Sequence, residues 1–136
     1  ENLALFLDSH HSLAVWRAAL GDPAVDIWVA EDGEGRALAY AQTAPCTLPA
    51  PELEADAGEL SRLYVLAEAQ GEGLGRALLD IALQNLEKKF GAAYLSVWSE
   101  NFRAQRIYEA RGFRKVADYK YMVGEHADDE WVMKRS

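Results

Sequence analysis

The sequence predicts an α/β or α+β fold built on one sheet of mixed pairing, and three observations support it. Several short segments are rich in large apolar residues or alternate them with polar ones, as strands do. Two segments with helical periodicity lie between strands in the second half of the chain. The order strand, helix, strand, helix, strand, strand in that half is typical of such a sheet. We expect residues 1–136 to form a single domain.

The N-terminal part of the sequence contains two apolar segments. Leu3–Leu7 is an apolar run that suits a helix or a buried turn. His11–Leu20 carries apolar residues at the spacing of a short amphipathic helix, which Gly21–Pro23 would end. No strand is evident in this part of the sequence.

A β-hairpin and a long loop follow. Val25–Glu31 and Leu38–Thr43 are predicted strands, and the turn Asp32–Gly35 between them contains two glycines. Ala44–Gly58 contains three prolines together with acidic residues, which predicts a surface loop. Cys46 lies in this loop, and we interpret it as a free thiol without a catalytic role.

The second half of the chain carries the clearest periodicity. Its predicted elements are, in order, a strand at Glu59–Leu66, a long helix at Gly71–Phe90, a strand at Ala93–Trp98, a shorter helix at Phe102–Arg111, and strands at Phe113–Tyr121 and Trp131–Lys134. The acidic segment Gly124–Glu130 is predicted to be the turn between the last two strands.

The glycine-rich turn Gln70–Arg76 is the first candidate site. It lies between a predicted buried strand and the start of the long helix, where backbone N–H groups have no partner within the helix. The helix dipole adds positive partial charge there, and glycines let the backbone approach a ligand. This combination predicts a cradle for phosphate or pyrophosphate. A glycine-containing turn without a ligand is the alternative.

Two common phosphate-binding patterns do not fit this turn. The dinucleotide pattern G-x-G-x-x-G/A would require a small residue where Arg76 or Leu78 stands. A Walker A loop would require Lys and then Ser or Thr after its last glycine, whereas Arg-Ala follows here. The pattern that remains is Gln-x-x-Gly-x-Gly, formed by Gln70, Gly73 and Gly75.

A second motif follows the next predicted strand. Asn101 stands at its start, Tyr108 lies seven residues later, and Gly112-Phe113 closes it. Together with the glycine-rich turn, this motif resembles the GNAT superfamily of acetyl-CoA-dependent N-acetyltransferases, and the resemblance covers residues 59–134. It implies a mixed, mostly antiparallel twisted sheet flanked by helices. The family's usual first strand is not evident, so we expect the N-terminal segment to be incomplete or divergent.

The resemblance implies acetyl-CoA as co-substrate and assigns residues to it. The strand before the turn is expected to pair its backbone with the pantetheine amides, the turn to hold the pyrophosphate, and the second motif to border the pantetheine. For Asn101, helix N-capping is an alternative or additional role, and for Arg76 the alternative is a place on the helix surface. The residues so assigned are Leu63, Tyr64, Val65, Gln70, Gly71, Glu72, Gly73, Leu74, Gly75, Arg76, Asn101, Ala104 and Tyr108.

Acetyl transfer to an amine requires a base, an oxyanion donor and an acid. An alkyl ammonium with a pKa of about 10 must lose a proton before its nitrogen can attack the thioester. The resemblance implies Tyr108 as the acid, Glu59 as the base and the backbone N–H of Val65 as the oxyanion donor. The alternatives are a core aromatic for Tyr108 and a solvated or substrate-binding carboxylate for Glu59. Ser96 stands where some relatives carry their base, a role that serine alone cannot fill.

Composition disfavours several other functions. The net charge of −8, from 14 Lys+Arg against 22 Asp+Glu, disfavours nucleic acid and anionic membrane as partners. The single cysteine, Cys46, permits neither an internal disulfide nor a thiolate zinc cluster, and it favours a reducing, cytoplasmic location. His10 and His11 lack partners at metal-ligand spacing, so we expect no metal site. No apolar run approaches the length of a membrane span.

The C-terminal stretch from Tyr121 to Lys134 resembles the spermidine/spermine-acetyltransferase-like branch of the family. A polyamine-like small-molecule amine is therefore the leading acceptor hypothesis, and the alternative acceptor is a protein N-terminus or lysine. A non-catalytic acyl-CoA-binding module is the alternative from another class, which the presence of both Tyr108 and Glu59 disfavours. Many relatives dimerise, so a homodimer is the partner arrangement to consider.

Overall fold

One eight-stranded sheet organises the described part of the chain. The computed structural model describes residues 2–8, 11–18, 22–50, 52–71 and 73–135, with the side chains from residue 22 onward except that of Val123. The order across the sheet is β1-β2-β3-β4-β5-β6-β8-β7, which confirms the predicted class, a mixed α/β sheet flanked by helices. The elements are β1 (Asn2–Asp8), β2 (His11–Ala18), β3 (Asp26–Glu31), β4 (Ala37–Pro45), β5 (Ala57–Val65), a 3₁₀ turn (Ala67–Ala69), α1 (Leu74–Lys89), β6 (Ala92–Trp98), α2 (Phe102–Ala110), β7 (Arg114–Val123) and β8 (His126–Arg135).

The central feature of the sheet is a slot between β5 and β6. These strands are the parallel pair in a sheet whose other neighbours run antiparallel. Their ladder joins Ala57–Leu60 to Ala92–Leu95, whereas β5 continues beside β4 to Val65 and β6 continues beside β8 to Trp98. The two strands therefore diverge at their carboxyl ends. The register between β4 and β5 shifts at Ser61, where the divergence begins.

Helix α1 covers one face of the sheet. It packs on β3, β4, β5 and β6, and burial of each leucine in that interface contributes about 2 kcal/mol. The same packing brings the first turn of α1 against Val65, beside the slot. The helix side chains buried there are Leu74, Leu78, Leu79, Ala82, Leu83 and Leu86.

A buried polar network fixes the C-terminal half of α1 to β3 and β4. The carboxylate of Asp26, a residue only 3% exposed, accepts hydrogen bonds from Lys89 Nζ at 2.7 Å and from Asn85 Nδ2 at 2.9 Å. Asn85 Nδ2 also donates to Thr43 Oγ1 at 3.1 Å. Because a buried polar group is costly unless it is paired, this network explains an asparagine on the apolar stripe of the helix.

The loop between β4 and β5 packs on the opposite face of the sheet. It spans residues 46–56, shorter than the predicted loop Ala44–Gly58, because both flanking strands extend into that range. Cys46 is a free thiol, as predicted, and burial raises its pKa. With Leu48 and Ala50, it covers a second apolar cluster formed by Ala57, Ala92, Tyr94 and Val132.

The prediction of a helix or a buried turn at Leu3–Leu7 and the prediction of a helix at His11–Leu20 are wrong. Asn2–Asp8 and His11–Ala18 form β1 and β2, an antiparallel pair that joins the sheet through β3. Periodicity alone does not separate helix from strand in short apolar runs. His11–Ala18 is a strand because it pairs with β3. The N-terminal segment therefore contributes strands that the sequence did not reveal. Residues 19–21, at the end of the predicted helix, lie outside the described residues.

Two predicted boundaries also change. The acidic segment Gly124–Glu130 is not all turn, because only its first two residues form the turn and β8 begins at His126 in register with β7. Helix α1 begins at Leu74 rather than at Gly71, because the glycines before it adopt positive φ, which is incompatible with a right-handed helix.

Candidate active site

A cleft opens where β5 and β6 diverge, between the glycine-rich turn and α2. Its volume is about 340 Å³. It brings together most of the residues that the sequence assigns to acetyl-CoA, from two motifs that are separate in the chain. The lining residues are Leu63, Val65, Gln70, Gly71, Gly73, Gly75, Arg76, Leu79, Arg103, Ala104, Ile107 and Tyr108.

The glycine-rich turn presents the amino end of α1 to the cleft. Gly73 is the N-cap residue, and the first helical hydrogen bond runs from Ala77 N–H to Gly73 O. The N–H groups of Leu74, Gly75 and Arg76 therefore precede the helical ladder and are available to a ligand. Together with the helix dipole, they make this end of α1 an anion site.

Glycine suits the turn by conformation at Gly71 and Gly73, which both have positive φ, and by close approach at Gly75. The φ of 81° at Gly73 lies in the left-handed region, which costs other residues about 1–2 kcal/mol. At Gly75 a Cβ would lie 3.2 Å from Val65 Cγ2, so glycine lets α1 approach β5 this closely. Gln70 fixes the start of the turn, because its Nε2 donates to Val65 O at 3.1 Å. Gln70 thus shapes the turn as well as lining the cleft.

Tyr108 faces the cleft from α2. Its ring packs against Phe113 in an edge arrangement, with ring centroids 6.1 Å apart. Burial raises the pKa of the Tyr108 hydroxyl above its usual value, so the phenol is protonated at neutral pH, as a general acid must be. Gln105 holds α2 in place, because its Nε2 donates to Trp98 O and Ser99 O at the end of β6.

Four residues assigned to acetyl-CoA are not among the lining residues. Asn101 caps α2, with its Oδ1 accepting a hydrogen bond from Ala104 N at 3.2 Å. Leu74 is buried in the core at 2% exposure, and Tyr64 is 51% exposed. Tyr64 lies between Leu63 and Val65 in the strand, so its side chain points away from the cleft. Glu72 lies outside the described residues.

Glu59 lies on the sheet face opposite α1. Its neighbour Leu60 belongs to the core under α1, and side chains alternate along a strand. The carboxylate is buried, and its Oε1 accepts hydrogen bonds from Thr47 N at 2.7 Å and Thr47 Oγ1 at 3.0 Å. The predicted base is therefore tied to the β4–β5 loop and stands apart from the cleft lining.

Three lining residues were not predicted, namely Leu79, Arg103 and Ile107. Arg103 and Ile107 are four residues apart on α2, beside Ala104 and Tyr108, which are also four apart. Residues at that spacing share a helix face, so the assignment of Tyr108 contained the signal that would have identified both.

An arginine-lined depression continues from the cleft along α2. Arg111 is paired with Asp80, at 2.7 Å from Nε to Oδ1, whereas Arg76, Arg103 and Arg106 are exposed. In a chain with a net charge of −8, these arginines concentrate positive charge next to the anion site of α1. The depression is lined by Arg76, Arg103, Arg106, Ile107, Ala110 and Arg111.

Two negative observations hold for the part of the chain that the structure describes. No group of three or more His, Cys, Asp or Glu side chains there is placed to hold a metal ion. None of the helices in those ranges is both long and apolar enough to cross a bilayer.

The cleft combines the end of a parallel ladder, the amino end of a helix and a protonated tyrosine, an arrangement that suits an acyltransferase of the acyl-CoA-using class. The sequence matches the family described as Acetyltransferase (GNAT) family over residues 3–113, and the chain belongs to this family. An uncharacterised N-acetyltransferase of Mycobacterium tuberculosis is 31% identical over 137 aligned positions, which cover 99% of this chain and 82% of that protein. A mycothiol acetyltransferase of Beutenbergia cavernae is 41% identical over 97 residues, which cover 71% of this chain and 30% of that protein.

Solved structures share the fold. The ribosomal-protein-S18-alanine N-acetyltransferase from Escherichia coli has a TM-score of 0.67 and 25% identity over 84% of this chain and 70% of that one. A spermidine/spermine N-acetyltransferase from Vibrio cholerae has a TM-score of 0.66 and 23% identity over 83% and 65%. A GNAT family acetyltransferase from Elizabethkingia anophelis with acetyl-CoA bound has a TM-score of 0.69 and 11% identity over 91% and 97%. The chain is thus an N-acetyltransferase that uses acetyl-CoA.

Proposed function

We propose that this N-acetyltransferase acetylates a primary amine of a small, cationic, polyamine-like molecule, with Tyr108 as the general acid. One observation carries the proposal: the amino end of α1 and the hydroxyl-bearing face of α2 line the same cleft. The cleft lies at the slot, beyond the last paired residues of the β5–β6 ladder. A donor bound on the helical side and an amine on the other side would meet there.

In this proposal, acetyl-CoA lies along β5. The backbone of Leu63, Tyr64 and Val65, beyond the end of the β5–β6 ladder, pairs with the pantetheine amides, and the N–H of Val65 faces the thioester oxygen. The turn, with Gln70, Gly71 and Glu72, and the helix start at Gly73, Leu74, Gly75 and Arg76 hold the pyrophosphate. Asn101 and Ala104 border the pantetheine, and the arginine-lined depression accepts the phosphate on the ribose.

The chemistry divides between the two faces of the sheet. The amine must reach the thioester as a free base, so a carboxylate on the face away from the helices removes a proton, and Glu59 acting through water is the base that the sequence predicts. The nitrogen then attacks the carbonyl carbon. As the carbon–sulfur bond breaks, Tyr108 supplies a proton to the sulfur, since its raised pKa keeps it protonated.

The acceptor is a separate assignment from the reaction. The similar proteins named above are called acetyltransferases of mycothiol, of an S18 alanine and of spermidine, so membership of the family does not choose among acceptors. A polyamine acceptor is supported by the resemblance of the stretch from Tyr121 to Lys134 to the spermidine/spermine-acetyltransferase-like branch. The net charge of −8 is compatible with a cationic substrate. A protein N-terminus is the second candidate, supported by the structure of the S18-alanine enzyme at 25% identity.

The proposal is tested with an amine panel of spermidine, simple monoamines, a lysine peptide and an alanine-starting peptide. We expect kcat/KM to be highest for spermidine, and a preference for either peptide would replace the polyamine by a protein acceptor. Binding of acetyl-CoA, measured by calorimetry with NAD as the control, is expected in either case. Binding without turnover of any amine would favour the non-catalytic acyl-CoA-binding module.

Two further properties belong to the proposal. A cytoplasmic location is supported by the free thiol of Cys46, and localisation of a tagged chain in the source cells would test it. A homodimer is suggested by the behaviour of the family, and light scattering of the purified chain would decide between one copy and two.

A further inference from the structure

Three polar side chains from three strands meet on the sheet face opposite α1. Ser96 lies on β6, Tyr119 on β7 and Glu130 on β8, and hydrogen bonding by Ser96 lowers the pKa of both Tyr119 and Glu130, against the effect of burial. The register of β8 with its two neighbours brings these residues together. Glu130 pairs with Tyr119 on β7 and with Trp98 on β6, and Trp98 is two residues from Ser96. These three residues are called the β6–β8 triad below.

The interaction between Ser96 and Glu130 has one possible direction. A serine hydroxyl offers one donor and two acceptor positions, whereas an ionised carboxylate only accepts. Ser96 is therefore the donor and Glu130 the acceptor, and the interaction favours the ionised carboxylate.

The triad lies at the start of the slot. Leu95 is the last residue of β6 that pairs with β5, and its side chain belongs to the core under α1. Ser96 is the next residue, so its side chain points to the other face just where the strands begin to diverge. The cleft with Tyr108 opens on the helical side of the same slot. An amine at the triad is thus on the opposite side of the sheet opening from the acyl donor.

We propose that Glu130, which lies beside Ser96 and Tyr119, is the carboxylate that binds the ammonium group of the acceptor and takes its proton, in place of Glu59. The inference rests on the proposed N-acetyltransferase function and assigns its base. The acceptor class is a primary alkylammonium ion, whose charge the carboxylate recognises. Trp98, 48% exposed, and Tyr121, 57% exposed, flank Glu130 and offer aromatic surface to the alkyl chain.

Glu130 takes one proton from the bound ammonium, and the nitrogen lone pair forms a bond to the carbonyl carbon of the thioester. When the carbon–sulfur bond breaks, the sulfur takes the proton of the Tyr108 hydroxyl. The excess proton on the new amide nitrogen returns to the Tyr108 oxygen, and Glu130 releases its proton to solvent. The net products are the amide, the CoA thiol and one proton.

Glu130 suits this role better than Glu59 does. Two hydrogen bonds from Thr47 to Oε1 of Glu59 hold that carboxylate to the β4–β5 loop. Burial, with the charge of Asp128, raises the pKa of Glu130, and the hydrogen bond from Ser96 opposes that rise. A carboxylate with a raised pKa is a stronger base than the same group at its usual pKa.

Charged and titratable groups face the triad from each neighbouring strand. Glu59 on β5 and Tyr121 on β7 act, like Glu130, on the Tyr119 hydroxyl, whose pKa burial raises. Asp128 on β8 is paired with His126 at 2.9 Å. None of these groups is removed by the substitutions at Glu130 and Ser96, so a change in the pH profile of those two variants reports on the triad itself.

The first test compares kcat/KM against pH for one amine in the unmodified enzyme and in Glu130→Gln, Glu59→Gln and Asp129→Asn. Asp129 is the matched control, because it neighbours Glu130 on β8 but pairs with Lys120 at 2.7 Å on the exposed surface. We expect Glu130→Gln to lower kcat/KM by about 100-fold and to leave the affinity for acetyl-CoA unchanged. It should also abolish the acidic limb of the pH profile, which is the fall in kcat/KM as the pH is lowered and the base becomes protonated. Asp129→Asn stays within about twofold, and Glu59→Gln retains the acidic limb.

A second variant, Ser96→Ala, makes the test independent of the loss of the carboxylate. The bond from Ser96 stabilises the ionised form of Glu130, so its removal raises the pKa of Glu130. Activity requires the ionised form, and the acidic limb of kcat/KM therefore moves to higher pH. A merely structural role for Ser96 would lower the rate without moving the limb.

The outcomes separate the inference from the proposed function. If Glu130→Gln acetylates the amine with an unchanged acidic limb, the assignment of Glu130 is overturned and the N-acetyltransferase proposal stands. The same conclusion follows if the limb disappears in Glu59→Gln instead. If the unmodified enzyme binds acetyl-CoA but acetylates no amine of the panel, the proposed function fails, and the inference fails with it.

Discussion

The proposed donor side and the proposed acceptor side of the slot are built in different ways. On the donor side, the turn Gln70–Arg76 and the segment Asn101–Phe113 are continuous motifs, each of which places its own backbone and side chains in the cleft. On the acceptor side, the β6–β8 triad takes one residue from each of three strands and depends on the register that joins them. A local motif is visible in a sequence, whereas a site made by register becomes visible only when the sheet is assembled.

The largest effect is expected from removal of the acid on the donor side. Tyr108→Phe keeps the ring and its contact with Phe113 but removes the proton that the leaving thiolate needs, so kcat should fall by about 100-fold or more. The KM for acetyl-CoA should change little. Because burial raises the pKa of Tyr108, the unmodified enzyme should lose activity only above the usual range of tyrosine. Initial rates from neutral to alkaline pH check both statements.

Tyr94→Phe is the matched control for this substitution. Tyr94 is buried at 1% exposure, and its hydroxyl accepts a hydrogen bond from Glu54 N, away from the cleft. Removal of that hydroxyl should leave kcat unchanged. Equal kcat in Tyr108→Phe and in the unmodified enzyme would contradict the assignment of the acid.

A smaller effect is expected from strain in the turn. Gly73→Ala places a Cβ on a left-handed residue, at a cost of about 1–2 kcal/mol, and the turn relieves that strain by leaving the conformation that presents the helix N–H groups. Affinity for acetyl-CoA should fall about tenfold by calorimetry. Gly35→Ala carries the same strain at φ 80° in the β3–β4 hairpin and should lower stability without changing this affinity. Equal affinities of the two variants for acetyl-CoA would show that the turn does not contribute to acetyl-CoA binding.

The smallest effect is expected in the arginine-lined depression. Arg103→Ala removes one exposed charge from the depression, and exposed ion pairs contribute about 0.2–1 kcal/mol, so KM for acetyl-CoA should rise by a small factor. The same substitution should have no effect on the KM for 3′-dephospho-acetyl-CoA, which lacks the phosphate that the depression is proposed to hold. Lys88→Ala, an exposed cation at the other end of α1, is the control. A similar rise for both donors would show that Arg103 does not contact that phosphate.

The elements next to the slot were predictable because their signals are local. The strand at Glu59–Leu66, the helix near Gly71–Phe90 and the glycines between them follow from periodicity and from the conformations that glycine permits. The helix predicted at His11–Leu20 failed because a pairing partner distant in sequence, β3, decided the structure of that segment. Propensity is a weak guide where tertiary pairing supplies the hydrogen bonds.

The candidate site divides in the same manner. Tyr108 and the turn were found from motifs, and the structure places them in one cleft. Glu130 was assigned to an acidic turn, because nothing in the sequence indicates that β8 begins at His126 and so brings Glu130 beside Ser96. The register of β7 with β8 also brings Tyr119 beside Glu130. The spacing of these residues along the chain does not reveal this proximity.

A crystal structure of the chain with acetyl-CoA bound tests most directly whether the slot joins a donor side and an acceptor side. We expect the pyrophosphate to bind the N–H groups of Gly73–Arg76 and the pantetheine to lie along β5. The sulfur should lie within hydrogen-bonding distance of the Tyr108 hydroxyl, and the thioester carbonyl carbon should be accessible from the side of Glu130. A pyrophosphate bound away from the turn, or a thioester that faces only the helical side of the sheet, would contradict this arrangement.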